Sequence, residues 1–74
     1  MKIKKIEQKA YDLGYIIASG MAVSGWGFAE IYTIEDIMKD NENAKPVKTF
    51  GRAVSKKKNV NMAYEWIKNN PIEG

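Results

Sequence analysis

Apolar residues in this chain change their period twice. Ile3, Ile6, Ala10, Leu13 and Ile17 recur at helical spacing. Phe28, Glu30, Tyr32 and Ile34 then alternate with Ala29, Ile31 and Thr33, and Val60, Ala63, Tyr64 and Ile67 return to a helical stripe. A period near 3.6 marks a helix with one apolar face, and a period of two marks a strand. Two amphipathic helices around strands need a sheet to pack on. The expected fold class is therefore α+β, a small single domain over residues 1–74 ordered helix, antiparallel two- or three-stranded sheet, helix.

Local signals set the expected boundaries. Gly14 suits the position after a helix because it takes positive φ without a Cβ penalty, so the first helix is expected to end near Leu13. Tyr15, Ile16 and Ile17 then fall to a strand; the alternative runs the helix on to Ser19. Ser24, Gly25, Trp26 and Gly27 form a turn by composition. The alternating run from Phe28 is the clearest strand. Its end has two readings, strand through residues 34–39 or a short helix capped by Thr33, with Asp36 three residues on. Asp40 to Asn43 is a turn on both readings. Pro46 opens a further strand with Val47, Thr49 and Val54 on one side and Lys48, Phe50 and Arg52 on the other, and Pro71 stops the last helix.

At 74 residues folding hides only about 60% of the chain's surface, so the core is small. Cysteine is absent, so packing alone must hold it, and a reducing compartment such as the cytoplasm is the expected setting. The apolar run from Tyr15 to Val23 is broken by Ser19 and Gly20 and falls short of the roughly 20 residues a membrane span needs. Glu7, Gln8 and Asp12 separate it from the N-terminal lysines, unlike a signal peptide.

Histidine is absent too, which removes the imidazole base and, with cysteine, the usual zinc sets. No enzymatic activity, cofactor or metal is expected. Glu35, Asp36, Asp40 and Glu42 are hard-cation ligands by type. A solvated helix face and turn accounts for them equally without an ion.

Charge is segregated along the chain. Residues 1–10 carry Lys2, Lys4, Lys5 and Lys9 against Glu7; residues 11–44 carry Asp12, Glu30, Glu35, Asp36, Asp40 and Glu42 against Lys39; residues 45–74 carry Lys45, Lys48, Arg52, Lys56, Lys57, Lys58 and Lys68 against Glu65 and Glu73. The net charges are +3, −5 and +5. If the ends of the chain meet in the fold they make one basic face, the footprint of a polyanion binder.

The strongest local signal lies where Phe50 to Val54 give way to Ser55, Lys56, Lys57 and Lys58 at the start of the last helix. Ser55 is an expected N-cap. Three lysines in a first turn oppose the helix dipole, which favours anions there. A phosphate, bound by the lysines and the unpaired N–H groups, would resolve the conflict; a merely solvated helix start is the competing reading. Lys45, Lys48 and Arg52 add charge nearby. Trp26, between two glycines, is expected to fold back as a lid on the small core, with an exposed stacking platform as the alternative. Trp66 and Met62 belong to the core margin, and secondarily to a partner-docking patch.

The order of elements, together with Gly51-Arg52-Ala53-Val54-Ser55-Lys56-Lys57-Lys58 and Ala63, resembles the C-terminal half of the double-stranded RNA-binding domain. The resemblance implies that Ser55 caps the last helix and that Lys56 and Lys57 reach phosphates across a groove. It also implies that the first helix, around Glu7 and Gln8, faces the minor groove, and that duplex shape is recognised rather than sequence. The arm-type DNA-binding domain of tyrosine integrases is similar in its three strands and one helix, and implies contact through the sheet with Lys48 and Arg52. The chain is thus expected to be a small nucleic-acid-binding domain, for DNA or RNA duplex, using Lys45, Lys48, Arg52, Ser55, Lys56, Lys57 and Lys58 with Lys4 and Lys5. The alternative is a protein-interaction module, such as an inhibitor or adaptor encoded by a phage or mobile element, with Trp26, Trp66 and Met62 as anchors.

Overall fold

The computed structural model describes residues 2–22, 25–51 and 55–72. Its elements follow in the order α1 (Ile3–Asp12), β1 (Tyr15–Met21), β2 (Gly27–Thr33), α2 (Ile34–Lys39), β3 (Lys48–Gly51) and α3 (Lys56–Asn69). The strands form one antiparallel sheet with β2 in the centre. In β1 and β2, Ile17 stands opposite Ile31 and Ser19 opposite Ala29; in β2 and β3, Ala29 stands opposite Phe50 and Ile31 opposite Lys48. The period-two pattern therefore sends Tyr15, Ile17, Ala29, Ile31 and Phe50 to one face.

Both long helices cover that face. Ile6 and Ala10 of α1 and Val60, Ala63 and Ile67 of α3 close on Tyr15, Ile17, Ala29 and Ile31, and all nine are buried. Ile3, Phe50, Tyr64 and Trp66 pack around the margin. Each fully buried Ile or Val contributes about 1.5–3 kcal/mol, which matters in a core this small. Trp66 stands edge-on to Tyr15, with ring centroids 5.8 Å apart at 79°, a favoured aromatic geometry.

Residues at the element ends explain where each stops. Gly14 takes φ 92° just past α1, and its N–H donates to the Tyr11 carbonyl at 3.0 Å. Thr33 Oγ1 accepts from the Asp36 N–H at 3.1 Å, so the capped helix is the reading of residues 34–39 that holds. Ser55 Oγ likewise accepts from the Lys58 N–H at 3.2 Å. Gly25, at φ 91°, turns the chain between β1 and β2, and its N–H donates to the Ala22 carbonyl. Ser24 of that turn, and Arg52, Ala53 and Val54 between β3 and α3, lie outside the described residues.

Two contacts fix the direction of the helices. The Tyr15 hydroxyl donates to the Asn70 carbonyl at 2.6 Å, and a Cβ placed on Gly14 would meet Ile72 Cδ1 at 2.9 Å. The start of β1 and the end of α3 are thus neighbours, and α1 finishes at the same Gly14 turn. Both helices run back along the sheet from there. Their N-termini point to the opposite end, where β1 and β3 finish and the β1–β2 turn lies.

Candidate nucleic-acid interface

That shared end gathers charge from two distant parts of the sequence. Lys2, at the α1 N-cap, and Lys4 and Lys5 in its first turn are exposed; Lys57 and Lys58 in the first turn of α3 are exposed and Lys56 is half-buried. Neither helix has an acidic residue in its first turn. In contrast, α2 follows the dipole rule, with Glu35 and Asp36 in its first turn and Lys39 in its last. Only the two helices whose N-termini converge break it.

Among the described residues these ammonium groups have no ion-pair partner. The ion pairs among the described residues are Lys39 with Glu35 at 3.6 Å and Lys68 with Glu65 at 2.8 Å, and both lie elsewhere. Glu7, half-buried further along α1, is the carboxylate closest in sequence to the N-terminal lysines and pairs with none of them. Ser55, exposed, holds its cap, and Asn59 below it is fully buried, with its side-chain amide donating to the Ser55 carbonyl at 3.1 Å. Sequence periodicity placed no polar residue in the core; Asn59 is there because its own helix turn supplies an acceptor.

Other expected site residues are dispersed. Lys45 sits with Asp36, Lys39, Asp40 and Asn43 around a shallow groove, at the end where α2 is tied by its Ile34 N–H to the Gly14 carbonyl at 3.0 Å. It is remote from Lys56. Lys48 opens β3, three residues or about 10 Å of strand before Gly51, and its Nζ lies 5.6 Å from the Phe50 ring centroid. It stands back from the α3 start because it opens β3, opposite Ile31, while Gly51 at the other end of the strand leads toward α3. Arg52 lies outside the described residues. Lys2 was missed by sequence reasoning, although the lack of a capping side chain before Ile3 was its signal.

Trp26 corrects the expected lid. It is 47% exposed and no part of the core, because the β1–β2 turn carries it past the last strand pair, Met21 with Gly27, beyond the packed helices. It therefore stands at the same end as the two basic N-termini. Trp66 is core margin, and Met62 beside it is exposed.

Acidic residues collect at the far end. Asp12 ends α1, Glu35 and Asp36 start α2, and Asp40 and Glu42 follow it. Asp40 accepts from the Asn43 side chain at 2.7 Å and from its N–H at 3.3 Å. These bonds, the side-chain one foremost, hold its carboxyl below the usual range. Among the described residues no three carboxylates converge as a metal site would require, and no helix is long and apolar enough to cross a membrane. No protein-family model, curated protein or solved structure matches the chain.

Proposed function

We propose that this protein binds a nucleic-acid duplex through the end at which α1 and α3 begin. Lys56, Lys57 and Lys58 hold phosphates of one backbone stretch, and Lys2, Lys4 and Lys5 hold those of another. The observation that carries the reading is the convergence of two uncapped-by-acid, lysine-bearing helix N-termini, with no ion pair to those lysines among the described residues. Each N-terminus adds unpaired N–H donors and a positive dipole end to the ammonium charge. Trp26, exposed at the same end, offers a flat apolar surface to a groove wall or an unstacked base.

The likeness to the double-stranded RNA-binding domain supports the same use. Two helices on one face of a three-stranded antiparallel sheet, with the first helix beside the lysine-rich start of the last, suit a duplex read by backbone shape. Lys45 has no part in this contact, since it lies among the carboxylates of the far end.

Fluorescence anisotropy with mixed-sequence DNA and RNA duplexes, across a salt series, tests the proposal. For B-form DNA each neutralised phosphate steepens the log–log salt slope by about 0.9, so Lys56→Ala/Lys57→Ala/Lys58→Ala is expected to flatten it by about 2.7. An unchanged slope in that variant, with the fold intact by circular dichroism, removes the site. Discrimination between the two duplexes assigns DNA or RNA.

A further inference from the structure

The face of the sheet turned away from the helices carries a second, chemically opposite surface. Register places Ile16, Ala18, Phe28, Glu30, Tyr32 and Thr49 on it, and neither α1 nor α3 covers it, since both lie on the other side. All but Thr49 are half-buried. Phe28 lies flat across β1, where the missing side chain of Gly20 leaves room: a Cβ there would meet Phe28 Cζ at 2.9 Å. The result is an apolar platform with a shallow groove of about 480 Å³ where Phe28, Glu30, Thr49 and Gly51 meet, bordered by Phe50, whose side chain packs on the helix side.

Glu30 is the one charged residue of the three strands on that face. It stands on the central strand between Phe28 and Tyr32, each about 7 Å along the same face. Among the described residues it has no ion-pair partner, and its contact with the Tyr32 hydroxyl is long, at 3.5 Å. Reduced solvation, then the carboxylate itself, raises the Tyr32 phenol above its ordinary value. A carboxylate in such a setting keeps free acceptor positions suited to a guanidinium fork. The flanking rings offer cation–π faces to the same group.

We propose that this open sheet face docks an arginine-bearing apolar segment of a protein partner, with Glu30 receiving the guanidinium and Phe28 flanking it. Charge complementarity selects the occupant. A phosphate backbone is repelled by Glu30, and a second copy meeting this face symmetrically would bring two Glu30 carboxylates together without a counter-charge. The helices that carry the lysines and this groove lie on opposite sides of the sheet, with Phe28 and Gly51 at the end where α1 and α3 begin.

The test is an amide-shift NMR titration of the full chain with three probes: a peptide of alternating Arg and Leu, its Glu–Leu counterpart, and oligo-dT. The Arg–Leu peptide is expected to move the amides of residues 28–32 and 49–51, and Glu30→Gln to weaken it at least tenfold. Lys56→Ala/Lys57→Ala/Lys58→Ala should leave that titration unchanged. Failure of the basic peptide to move this face, equal binding by Glu30→Gln, or oligo-dT shifts centred on Phe28 and Tyr32 overturn the proposal. So do concentration-dependent shifts of these amides without any probe, which mark a dimer. Intact spectra of Glu30→Gln confirm that the loss is one of recognition, and the duplex experiment remains independent of it.

Discussion

Outside the core, some single side chains act through local hydrogen bonds rather than through burial, and Asp40 shows the consequence most directly. Two bonds from Asn43 lower its carboxyl below the usual range. A depressed folded value means that the contribution to stability is present above the ordinary carboxylate pKa and is lost as pH falls through the folded one. Acidification should therefore loosen the turn at Asp40 to Asn43 only below the ordinary carboxylate range. Carboxyl-carbon NMR should find Asp40 titrating below the usual aspartate range, and Asn43→Ala should return it there. A wild-type Asp40 that already titrates there, or one that Asn43→Ala leaves low, would show that Asn43 is not the cause. Gly14 works differently, since φ 92° and the approach of Ile72 both demand the absence of a side chain. It is the residue that lets α1 and α3 finish together.

Among the elements, α3 joins stability to the proposed duplex contact at one residue. Ser55→Ala removes the acceptor for the Lys58 N–H and should cost about 0.5–2 kcal/mol, a fall in Tm of several degrees in a domain of this size. Ser55→Asp keeps an acceptor and adds a negative charge at the dipole's positive end, so the helix should hold or gain stability. The same charge competes with a phosphate, and duplex affinity should fall. Calorimetry beside anisotropy separates the two effects; a Ser55→Asp variant that binds a duplex as tightly as the parent would contradict phosphate contact at this turn. Element type was legible in the sequence where Ile6 and Ala10, Ala29 and Ile31, and Val60, Ala63 and Ile67 each kept one period; Ile17 also fits the helical stripe of α1, and only its pairing with Ile31 assigns it to β1. Gly14, Thr33, Ser55 and Pro71 marked ends through their own backbone chemistry. Other features depended on tertiary placement that no local pattern carries. Asn59 is buried because Ser55 accepts from it, Trp26 projects because the turn outruns the helices, and Lys45 departs because the loop after α2 starts at the acidic end. That α1 and α3 begin at one end likewise follows from helix direction, which the Tyr15 contact with Asn70 reveals and composition cannot.

Across the whole molecule, the ordering of elements turns segregation along the chain into polarity along the fold. Helices α1 and α3 begin at one end, α2 and its carboxylates sit at the other, and the longest dimension is 36 Å. A Debye length of about 8 Å at physiological ionic strength makes the acidic end nearly invisible to a polyanion at the basic end. At about 0.01 M salt the length grows to roughly 30 Å, comparable with the molecule itself. The acidic end should then repel an approaching duplex unless the protein presents its lysine-bearing end first, and so should orient the encounter. Glu35→Gln/Asp36→Asn is therefore expected to leave duplex affinity at physiological salt unchanged within about twofold, while changing the association rate measurably at low salt. Stopped-flow mixing at the two ionic strengths reads both quantities. If the variant instead altered affinity at physiological salt as strongly as Lys56→Ala/Lys57→Ala/Lys58→Ala does, the carboxylates of α2 would have to lie within reach of the bound backbone. The division of the fold into a binding end and a repelling end would then fail, and with it the convergence of two helix N-termini as the reason for binding.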